Sequence, residues 1–343
     1  MRESTILQLL AYYALSDKTR PYIGVVLPMT KQILVEYIAK WDYTPFLQLL
    51  FSTAKESVEL MLVPTHTVGS HIEKNAKGLL YSLRLSYDES LRLPTNPWSR
   101  DFEVPSQIFL SSPQGHIRSG GPPSNIPDSE IVAVEDYIKT RGIHLYIHAP
   151  YYINLSKPEN EQSKKNEEKE SWSLKVLQHD LEIGNLIGAR GVVVHCGKHL
   201  KLSREEGENV MYESVKKMLK YATEDCPLLL ETSVGAGTEL LHDLKDLIRF
   251  YDRFTIEERR IFQLVTDLCH VFAAGFSPMS FMESLISKFG PECIRLIHFN
   301  DSRDPCGSHV DRHARMGSGH LGFLPMLKCL RLALKYGIDC VTE

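Results

Sequence analysis

The chain has 343 residues, of which 43% are hydrophobic and 24% charged, as is ordinary for a globular protein. It contains no apolar run of about 18 residues or more, which excludes a transmembrane helix, and its N-terminal segment lacks the small-residue cleavage site of a signal peptide. The formal net charge of −4 counts against a nucleic-acid partner, because most domains that bind DNA are basic.

The seven cysteines all lie at residue 196 or later, and none forms a Cys-x-x-Cys pair. This odd number with scattered spacing predicts free thiols in a reducing intracellular compartment, the cytoplasm or the nucleus. The fourteen histidines are more informative, because many of them stand at the ends of apolar runs.

Residues 1–65 carry apolar side chains at helix-like spacing, as in Ile33, Leu34, Tyr37 and Ile38. This spacing predicts a helical N-terminal extension. The segment contains no motif that carries chemistry. We therefore expect it to pack on the main domain or to bind a partner, with a targeting or assembly role as the alternative.

Residues 66–343 alternate short apolar runs with amphipathic segments of helix length. Strands buried on both faces form continuous apolar runs, and helical crossovers make such strands parallel. Eight strand–helix units in about 280 residues predict an α/β fold, a (β/α)8 TIM barrel. The predicted strands are Thr65–Ile72, Gln107–Ser112, His144–Pro150, Gly191–Gly197, Leu228–Ser233, Gln263–His270, Ile294–Asp301 and Asp339–Glu343. The predicted helices include Ser173–Ile187, Arg204–Tyr221, Glu239–Tyr251, Pro278–Phe289 and Phe323–Tyr336.

Two stretches are expected to be mobile loop insertions, because neither can bury enough apolar surface to order itself. Residues 113–129 are rich in Pro, Gly and Ser, and residues 157–171 are almost all charged or polar. The last predicted strand reaches Glu343, so the eighth helix is absent from this chain. Either the sequence is incomplete, or another segment such as the N-terminal extension closes the barrel.

A histidine or an acidic residue ends each of six consecutive predicted strands. In a barrel these strand ends converge on one mouth, where active sites are built. One such residue alone is more often a core histidine or a helix cap, but six together favour a shared site. Buried carboxylates repel one another and need a cation, and imidazole with carboxylate suits zinc. The six residues are His148, His195, Glu231, Asp267, His298 and Glu343.

Three further residues complete the candidate ligands. Asp311 and His313 lie two positions apart, and alternate residues of an extended loop point the same way, so both could bind one ion. His270, three residues after Asp267, would complete that site.

The same residues stand in a series of motifs that recur in one known family. In chain order they are His148-Ala-Pro-Tyr151-Tyr-Ile-Asn154, Val194-His195-Cys-Gly197, Leu230-Glu231-Thr, Asp267-Leu-Cys-His270, His298-Phe-Asn-Asp301-Ser and Asp311-Arg-His313. With them the chain resembles the endonuclease IV type of apurinic/apyrimidinic endonucleases, over roughly residues 66–343.

The resemblance implies a cluster of about three zinc ions, with manganese as a substitute. One ion would be held by His148, His195 and Glu231. A second would share Glu231 and add Asp267, His298 and Glu343. The third would take His270, Asp311 and His313.

The activity that the resemblance implies is a step of base excision repair. It is hydrolysis of the phosphodiester on the 5′ side of an abasic site in double-stranded DNA, which leaves a 3′-hydroxyl. Ions that share the Glu231 carboxylate would lower the pKa of bound water and so supply the nucleophile, which makes Glu231 the candidate catalytic residue. The expected protein is a monomeric hydrolase without a membrane partner.

Such an enzyme must turn the abasic nucleotide out of the duplex. Tyr151 matches the aromatic residue with which the family wedges the base stack, and Tyr152 lies beside it. The alternative is that one of these tyrosines only packs under the loop. An arginine common in the family's second loop is absent, and Gln114 is the candidate replacement. Arg312 is a further candidate DNA contact.

The local charge at the barrel mouth offsets the negative charge of the whole chain. Three divalent ions and four ligand carboxylates together leave about +2, and such a mouth can bind phosphates despite a mildly acidic protein. The basic residues expected on loops at the mouth are Lys198, Lys201, Arg204, Arg312 and Arg315.

Two other functions are compatible with parts of the pattern. A sugar isomerase or epimerase on the same barrel would need one ion, held by Glu231, Asp267, His298 and Glu343, and would leave the other donors idle. A non-catalytic DNA-binding or scaffold protein with a degenerate site is the other class. A metal count separates the first from the nuclease, and a nicking assay separates the second.

Overall fold

The computed structural model describes residues 22–27, 32–37, 68–72, 78–92, 103–110, 126–158 and 172–343. The chain divides into two units, Met1–Val63 and Pro64–Glu343. In these described stretches, no helix has both the length and the apolar character needed to cross a bilayer.

The first unit contains an antiparallel pair of strands, β1 (Tyr22–Leu27) and β2 (Gln32–Tyr37). The prediction of a helix over Ile33, Leu34 and Tyr37 is therefore wrong. A short apolar run does not by itself distinguish helix from strand, and both strands are rich in Val, Ile and Tyr, which favour a pleated surface. Ile38 and the rest of the predicted extension lie outside the described residues.

The second unit is a closed barrel of eight parallel strands, in the order in which they occur along the chain. All eight strands predicted from the apolar runs are present. The last strand of the barrel pairs with both the first and the seventh strand of the barrel, so the barrel closes strand to strand. The alternative in which another segment closes the barrel is therefore wrong. The strands are β3 (Val68–Ile72), β4 (Val104–Ile108), β5 (Ile143–His148), β6 (Val192–His195), β7 (Leu228–Glu231), β8 (Phe262–Asp267), β9 (Ile294–His298) and β12 (Asp339–Thr342).

Helices follow the barrel strands and cover the outside of the barrel. Two short strands, β10 (Asp301–Ser302) and β11 (His313–Ala314), pair with each other in the loop after β9. The helices are α1 (Leu79–Arg92), α2 (Asp128–Arg141), α3 (Trp172–Ile187), α4 (Arg204–Met218), α5 (Leu244–Tyr251), α6 (Ile256–Ile261), α7 (Leu268–Ala273), α8 (Pro278–Phe289) and α9 (Phe323–Tyr336).

Several predicted boundaries differ from the structure. Strand β4 starts at Val104, because Pro105 and Ser106 are buried strand residues and not part of a turn. Helix α5 starts at Leu244, where the Asp243 side chain accepts a hydrogen bond from the amide of Lys245 and caps the helix. The predicted insertions at 113–129 and 157–171 lie mostly outside the described residues.

The barrel interior holds a layer of six buried apolar side chains, distinct from the larger core between strands and helices. Alternate residues of a strand point to the same face, so the residue two positions further along each strand also points inward. On six strands that next residue is one of the predicted ligands. The apolar layer therefore forms the floor of the mouth, and it consists of Tyr146, Val193, Leu229, Val265, Leu296 and Val341.

Candidate metal centre

The structure brings nine predicted ligand side chains to the C-terminal mouth of the barrel. Six of them stand on the interior positions directly above the apolar floor, and the other three come from α7, from the loop before β11 and from β11 itself. Their donor atoms fall into overlapping groups. Within each group, one donor atom from every residue lies within 4.8 Å of the others. The nine residues are His148, His195, Glu231, Asp267, His270, His298, Asp311, His313 and Glu343.

The first group consists of two histidines and one carboxylate. His148 Nε2 lies 3.2 Å and His195 Nε2 3.1 Å from the same oxygen of Glu231, Oε2. His148 and Glu231 are each 1% exposed, whereas His195 is partly exposed at the rim. Three donors that converge on one point suit a tetrahedral ion with one position open to solvent.

The second group lies on the other side of Glu231. His298 Nδ1 is 3.0 Å from Glu231 Oε1, 3.3 Å from Glu343 Oε2 and 3.8 Å from Asp267 Oδ2. The two oxygens of the Glu231 carboxylate thus face different groups of donors. The donors on either side would each hold one ion, and Glu231 would contribute one oxygen to each.

The third group involves Asp311, which lies between two histidines. Its Oδ1 is 3.2 Å from His270 Nε2 and 3.2 Å from His313 Nε2. His313 is held in β11 by pairing with Ser302 of β10. His270 lies in α7 rather than on a strand as predicted, because the Asp267 side chain accepts a hydrogen bond from the His270 amide at 2.8 Å and starts the helix there.

In three of the histidines, the ring nitrogen that points away from the cluster forms a hydrogen bond. These hydrogen bonds test whether the histidines could bind metal ions. His148 Nδ1 lies 2.7 Å from the carbonyl oxygen of Ala149, His270 Nδ1 lies 2.8 Å from that of Thr232, and His298 Nε2 lies 3.0 Å from Gln107 Oε1. A carbonyl oxygen can only accept, so each of these nitrogens carries the proton. The opposite nitrogen of each ring faces the cluster, where it would supply its lone pair to a metal ion once it is deprotonated, as in metal-binding histidines.

Histidines and carboxylates in the cluster shift one another's pKa values. Burial alone would raise the pKa of Glu231, but His298 and His195 hold it well below its usual range. Burial alone would lower the pKa of His298, yet Glu343 and Glu231 raise it to about 9. The pKa of His313 is also raised to about 9, against the effect of burial, chiefly by its hydrogen bond with Asp311. Without ions, protons on the histidines therefore balance the carboxylates, and metal ions would replace those protons.

Three residues that support the ligands were given no role in the sequence analysis, although two of them stand in the motif that follows His298. Gln107 donates from Nε2 to Glu343 Oε1 at 3.1 Å, and Asn300 donates from Nδ2 to Asp267 Oδ2 at 2.7 Å. Asp301 accepts hydrogen bonds from backbone amides of the loop that follows β10. The signal that could have found them is a polar side chain inside or directly after an apolar run.

The predicted DNA contacts have different environments. Tyr151 is 37% exposed, and its ring stacks on that of His195 with centroids 5.3 Å apart. Tyr152 is partly buried against the outer core. Arg312 is exposed and forms an ion pair with Asp304 on the same loop. Gln114 lies outside the described residues.

Ion pairs engage several of the predicted basic residues at the mouth. Lys198 Nζ lies 3.2 Å from Glu239 Oε1, and Arg204 Nη1 lies 3.2 Å from Asp246 Oδ2. Lys201 and Arg315 form no ion pair with any residue in the described part of the chain. The positive charge available to a phosphate ligand is therefore smaller than the count of basic residues suggests.

Comparison with known proteins identifies the family of this chain. Residues 109–341 match the family described as xylose isomerase-like TIM barrel. A protein of Symbiobacterium thermophilum named "Probable endonuclease 4" is 32% identical over 241 residues, which is 69% of this chain and 82% of that protein. The chain belongs to the endonuclease IV family of these barrels. Endonuclease IV of Thermus thermophilus is a similar solved structure, with a TM-score of 0.60 and 25% identity over 81% of this chain and 92% of that one.

Proteins with little sequence similarity to this chain also have the barrel fold of endonuclease IV. A D-tagatose 3-epimerase-like protein has a TM-score of 0.55 with this chain at 16% identity, over 80% of this chain and 89% of that one. At that identity the likeness concerns the fold alone. Within the endonuclease IV family, function must therefore be argued from the donor groups at the mouth.

Proposed function

We propose that this protein is a zinc-dependent endonuclease of base excision repair. It hydrolyses the phosphodiester 5′ to an abasic site in double-stranded DNA and leaves a 3′-hydroxyl. The endonuclease class follows from the family to which the chain belongs. The observation that carries the proposal is the Glu231 carboxylate, whose two oxygens face two different groups of donors.

The three donor groups would hold three ions. His148, His195 and Glu231 bind the first, and Glu231 shares the second with the group that contains Glu343. His270, Asp311 and His313 would bind the third, since Asp311 Oδ1 lies 3.2 Å from a ring nitrogen of each histidine. When bound, such ions lower the pKa of a coordinated water and stabilise negative charge on the phosphate oxygens.

The other residues of the mouth position the donors and the DNA. Gln107 and Asn300 fix the carboxylates of Glu343 and Asp267 by hydrogen bonds. Tyr151 presents a partly exposed ring beside the first group, where it can stack in the space left by a turned-out nucleotide. Among the described residues, Lys201 and Arg315 are exposed basic side chains outside any ion pair, and they would be available to backbone phosphates.

A sugar isomerase or epimerase would use only the group of Glu231, Asp267, His298 and Glu343. It would give no role to the converging histidines of the first group or to Asp311 between His270 and His313. The nuclease accounts for all nine side chains, and this favours it over the single-ion reaction.

The test combines metal analysis with cleavage of a labelled duplex that carries one abasic site. We expect about three zinc ions per chain, a single nick 5′ to the site, and a 3′ end that a polymerase extends. A chelator should abolish nicking, zinc should restore it, and an otherwise identical duplex without the abasic site should stay intact. One ion per chain with isomerase activity, or nicking that resists exhaustive chelation, would contradict the proposal.

We further propose that the protein acts as a monomer in a reducing intracellular compartment, the cytoplasm or the nucleus. All seven cysteines are free, and six of them are buried, which supports a reducing environment. Sedimentation of the zinc-loaded protein, alone and with DNA, measures the oligomeric state.

A further inference from the structure

A network of buried polar side chains lies below the apolar floor, at the end of the barrel away from the donor groups. Asp339, the first residue of β12, is 4% exposed, and its Oδ2 accepts a hydrogen bond from the Tyr146 hydroxyl at 2.7 Å. The same oxygen lies 2.8 Å from Nδ1 of the buried His144. The second ring nitrogen of His144, Nε2, lies 2.9 Å from Oε2 of Glu103, an exposed carboxylate. The proposed donor cluster uses none of these four side chains.

The network connects two strands that are not neighbours in the sheet. His144 and Tyr146 lie on β5, whereas Asp339 lies on β12, and β3 and β4 stand between these strands in the barrel. The hydrogen bonds therefore cross the interior and do not belong to the pairing of adjacent strands. Strand β12 itself is short, since three of its residues pair with β3 and three with β9. The contact with β5 gives this short strand an additional fixed point.

The protonation states suit a stable contact between the two strands. Burial alone would raise the pKa of Asp339, but its hydrogen bonds with His144 and Tyr146 hold it below its usual value. Burial and the neighbouring Asp339 charge raise the pKa of Tyr146 well above its usual value, so the hydroxyl keeps its proton and donates it. A carboxylate can only accept, so Nδ1 of His144 must also carry a proton. Removal of the carboxylate would leave both donors buried without this partner.

Asp339 shares its strand and its face with Glu343, a donor of the second group. Alternate residues of a strand point the same way, so Asp339, the floor residue Val341 and Glu343 all face the barrel interior. The rise of a strand places Asp339 roughly 13 Å from Glu343 along the chain. A slip of β12 by one residue would turn Glu343 away from the mouth. Even a small shift along the strand would matter, because the distances between a metal ion and its ligands tolerate only about 0.2 Å.

We propose that Asp339 is a positioning residue for Glu343. Anchored to β5, it fixes β12 along its axis and so holds the Glu343 carboxylate where it can bind the second ion. The inference rests on the proposed metal cluster and concerns the strand that carries one of its donors. Gln107 and Asn300 contact the Glu343 carboxylate directly, at the mouth. The Asp339 network would act on the same side chain from the opposite end of the strand.

The experiment measures zinc affinity without DNA, by competition with a coloured chelator, and counts the ions per chain by native mass spectrometry. Tyr146→Phe keeps the ring in the floor and removes only the hydroxyl, whereas Asp339→Ala removes the acceptor. We expect each substitution to weaken the binding of one ion by about 10- to 100-fold, as is typical of groups that orient a ligand, and to spare the other ions. Asp339→Asn keeps an acceptor oxygen and should recover most of the affinity.

Nicking kinetics give an independent readout of the same effect. Neither Tyr146 nor Asp339 lies at the mouth, so Tyr146→Phe and Asp339→Ala should lower kcat at limiting zinc and leave the KM for abasic DNA unchanged. Glu208→Gln is the control, because it breaks a buried ion pair between α4 and α5, on the outside of the barrel. It should lower Tm without changing the affinity for any ion.

A double variant tests whether Asp339 acts through Glu343. Glu343→Gln weakens the second ion directly but keeps an oxygen that can still bind it, so a further loss remains measurable. Substitutions more than about 7–10 Å apart normally add in their effects. If Asp339 acts through Glu343, adding Asp339→Ala to Glu343→Gln should instead cost little further affinity.

The outcomes separate this inference from the proposed function. Wild-type zinc affinity in Tyr146→Phe and Asp339→Ala, in a protein that binds zinc and nicks DNA, would overturn the positioning role and leave the nuclease intact. Equal weakening of all ions, or additive effects in the double variant, would overturn it as well and leave the network a role in barrel stability alone. If Asp339→Ala does not fold, Tyr146→Phe with and without Glu343→Gln is judged by the same criteria. Unchanged zinc affinity in Glu343→Gln would contradict the proposed metal cluster itself, and the positioning role with it.

Discussion

Glu231 has the strongest claim to a catalytic role, because its two oxygens contact histidines of two different donor groups. Glu231→Gln keeps the size of the side chain but removes the charge and one acceptor. We expect this substitution to weaken the binding of two ions. It should also lower the nicking rate by more than about 100-fold, above the ~10–100-fold typical of groups that only orient ligands. Metal content by mass spectrometry and single-turnover nicking measure the two effects.

Glu208 supplies the control for this substitution. Its carboxylate is also buried, but it binds Arg249 at 2.8 Å, away from the donor groups. Glu208→Gln should keep the full metal content and wild-type nicking at a temperature where it is folded. If Glu231→Gln nicks DNA at a rate within about tenfold of wild type, Glu231 is not the catalytic residue.

The two neighbouring tyrosines should separate a DNA contact from a packing residue. Tyr151 is partly exposed beside His195, whereas Tyr152 packs on the core. Tyr151→Ala should raise the KM for abasic DNA roughly 10- to 100-fold through lost stacking, and Tyr151→Phe should stay near wild type. Tyr152→Ala should instead lower Tm. Equal effects of Tyr151→Ala and Tyr152→Ala on KM would contradict this division.

At the scale of elements, the loop after β10 is organised by one buried carboxylate. Asp301 Oδ1 accepts from the amides of Ser302 at 2.8 Å and Leu321 at 3.0 Å, and Oδ2 accepts from Gly319 at 2.8 Å. Both ends of the loop that carries Asp311 and His313 are therefore fastened to the same side chain. The side chain is fully buried, so water cannot replace these hydrogen bonds.

Asp301→Asn should consequently release the third ion and spare the other two. The amide NH₂ would face a backbone N–H, which leaves a buried donor unpaired at a cost of about 1–3 kcal/mol. Metal content should fall by one ion per chain, with the first two retained. Asp304→Asn, on the same loop but bound to Arg312, is the control and should keep its metal. A full metal complement in Asp301→Asn would refute the loop argument.

The sequence was sufficient to predict the strands of the barrel and the polar residues that stand at their ends. Continuous apolar runs predict strands buried on both faces, and a polar residue two positions after an interior Val or Leu must share its face, as Glu231 does after Leu229. Gln107 and Asn300 were not predictable in the same way, because an amide's partner lies on another strand. The strand Gln32–Tyr37 was misjudged, since its partner strand and not its own spacing determines its structure.

At the scale of the whole molecule, the cluster couples metal content to stability. His298 and His313 have pKa values raised from 6.5 to about 9 in the ion-free fold. A raised pKa contributes stability that is fully present below the unfolded value of 6.5 and is lost as the pH rises through about 9. Ion binding needs neutral histidines, so zinc binds more tightly over the same range.

The Tm difference between zinc-loaded and ion-free protein should therefore widen as the pH rises from 6.5 to about 9. We expect the ion-free protein to lose stability by at least about 1 kcal/mol, which corresponds to roughly 1–2 °C in a chain of 343 residues. Thermal unfolding of both forms at several pH values in one buffer series measures this difference in Tm. A Tm difference that stays constant or becomes smaller as the pH rises would show that these histidines do not exchange protons for metal ions.

The positions of the donors along the chain also give the cluster an order of completion. During synthesis from the N-terminus, the donors of the first group are all present once β7 has been made, and those of the third group once β11 has been made. The second group waits for Glu343, after the strand that closes the barrel. A nascent chain could thus bind its first ion before the barrel is closed. The second carboxylate oxygen of Glu231 would then remain free for the second ion, whose donors are completed last.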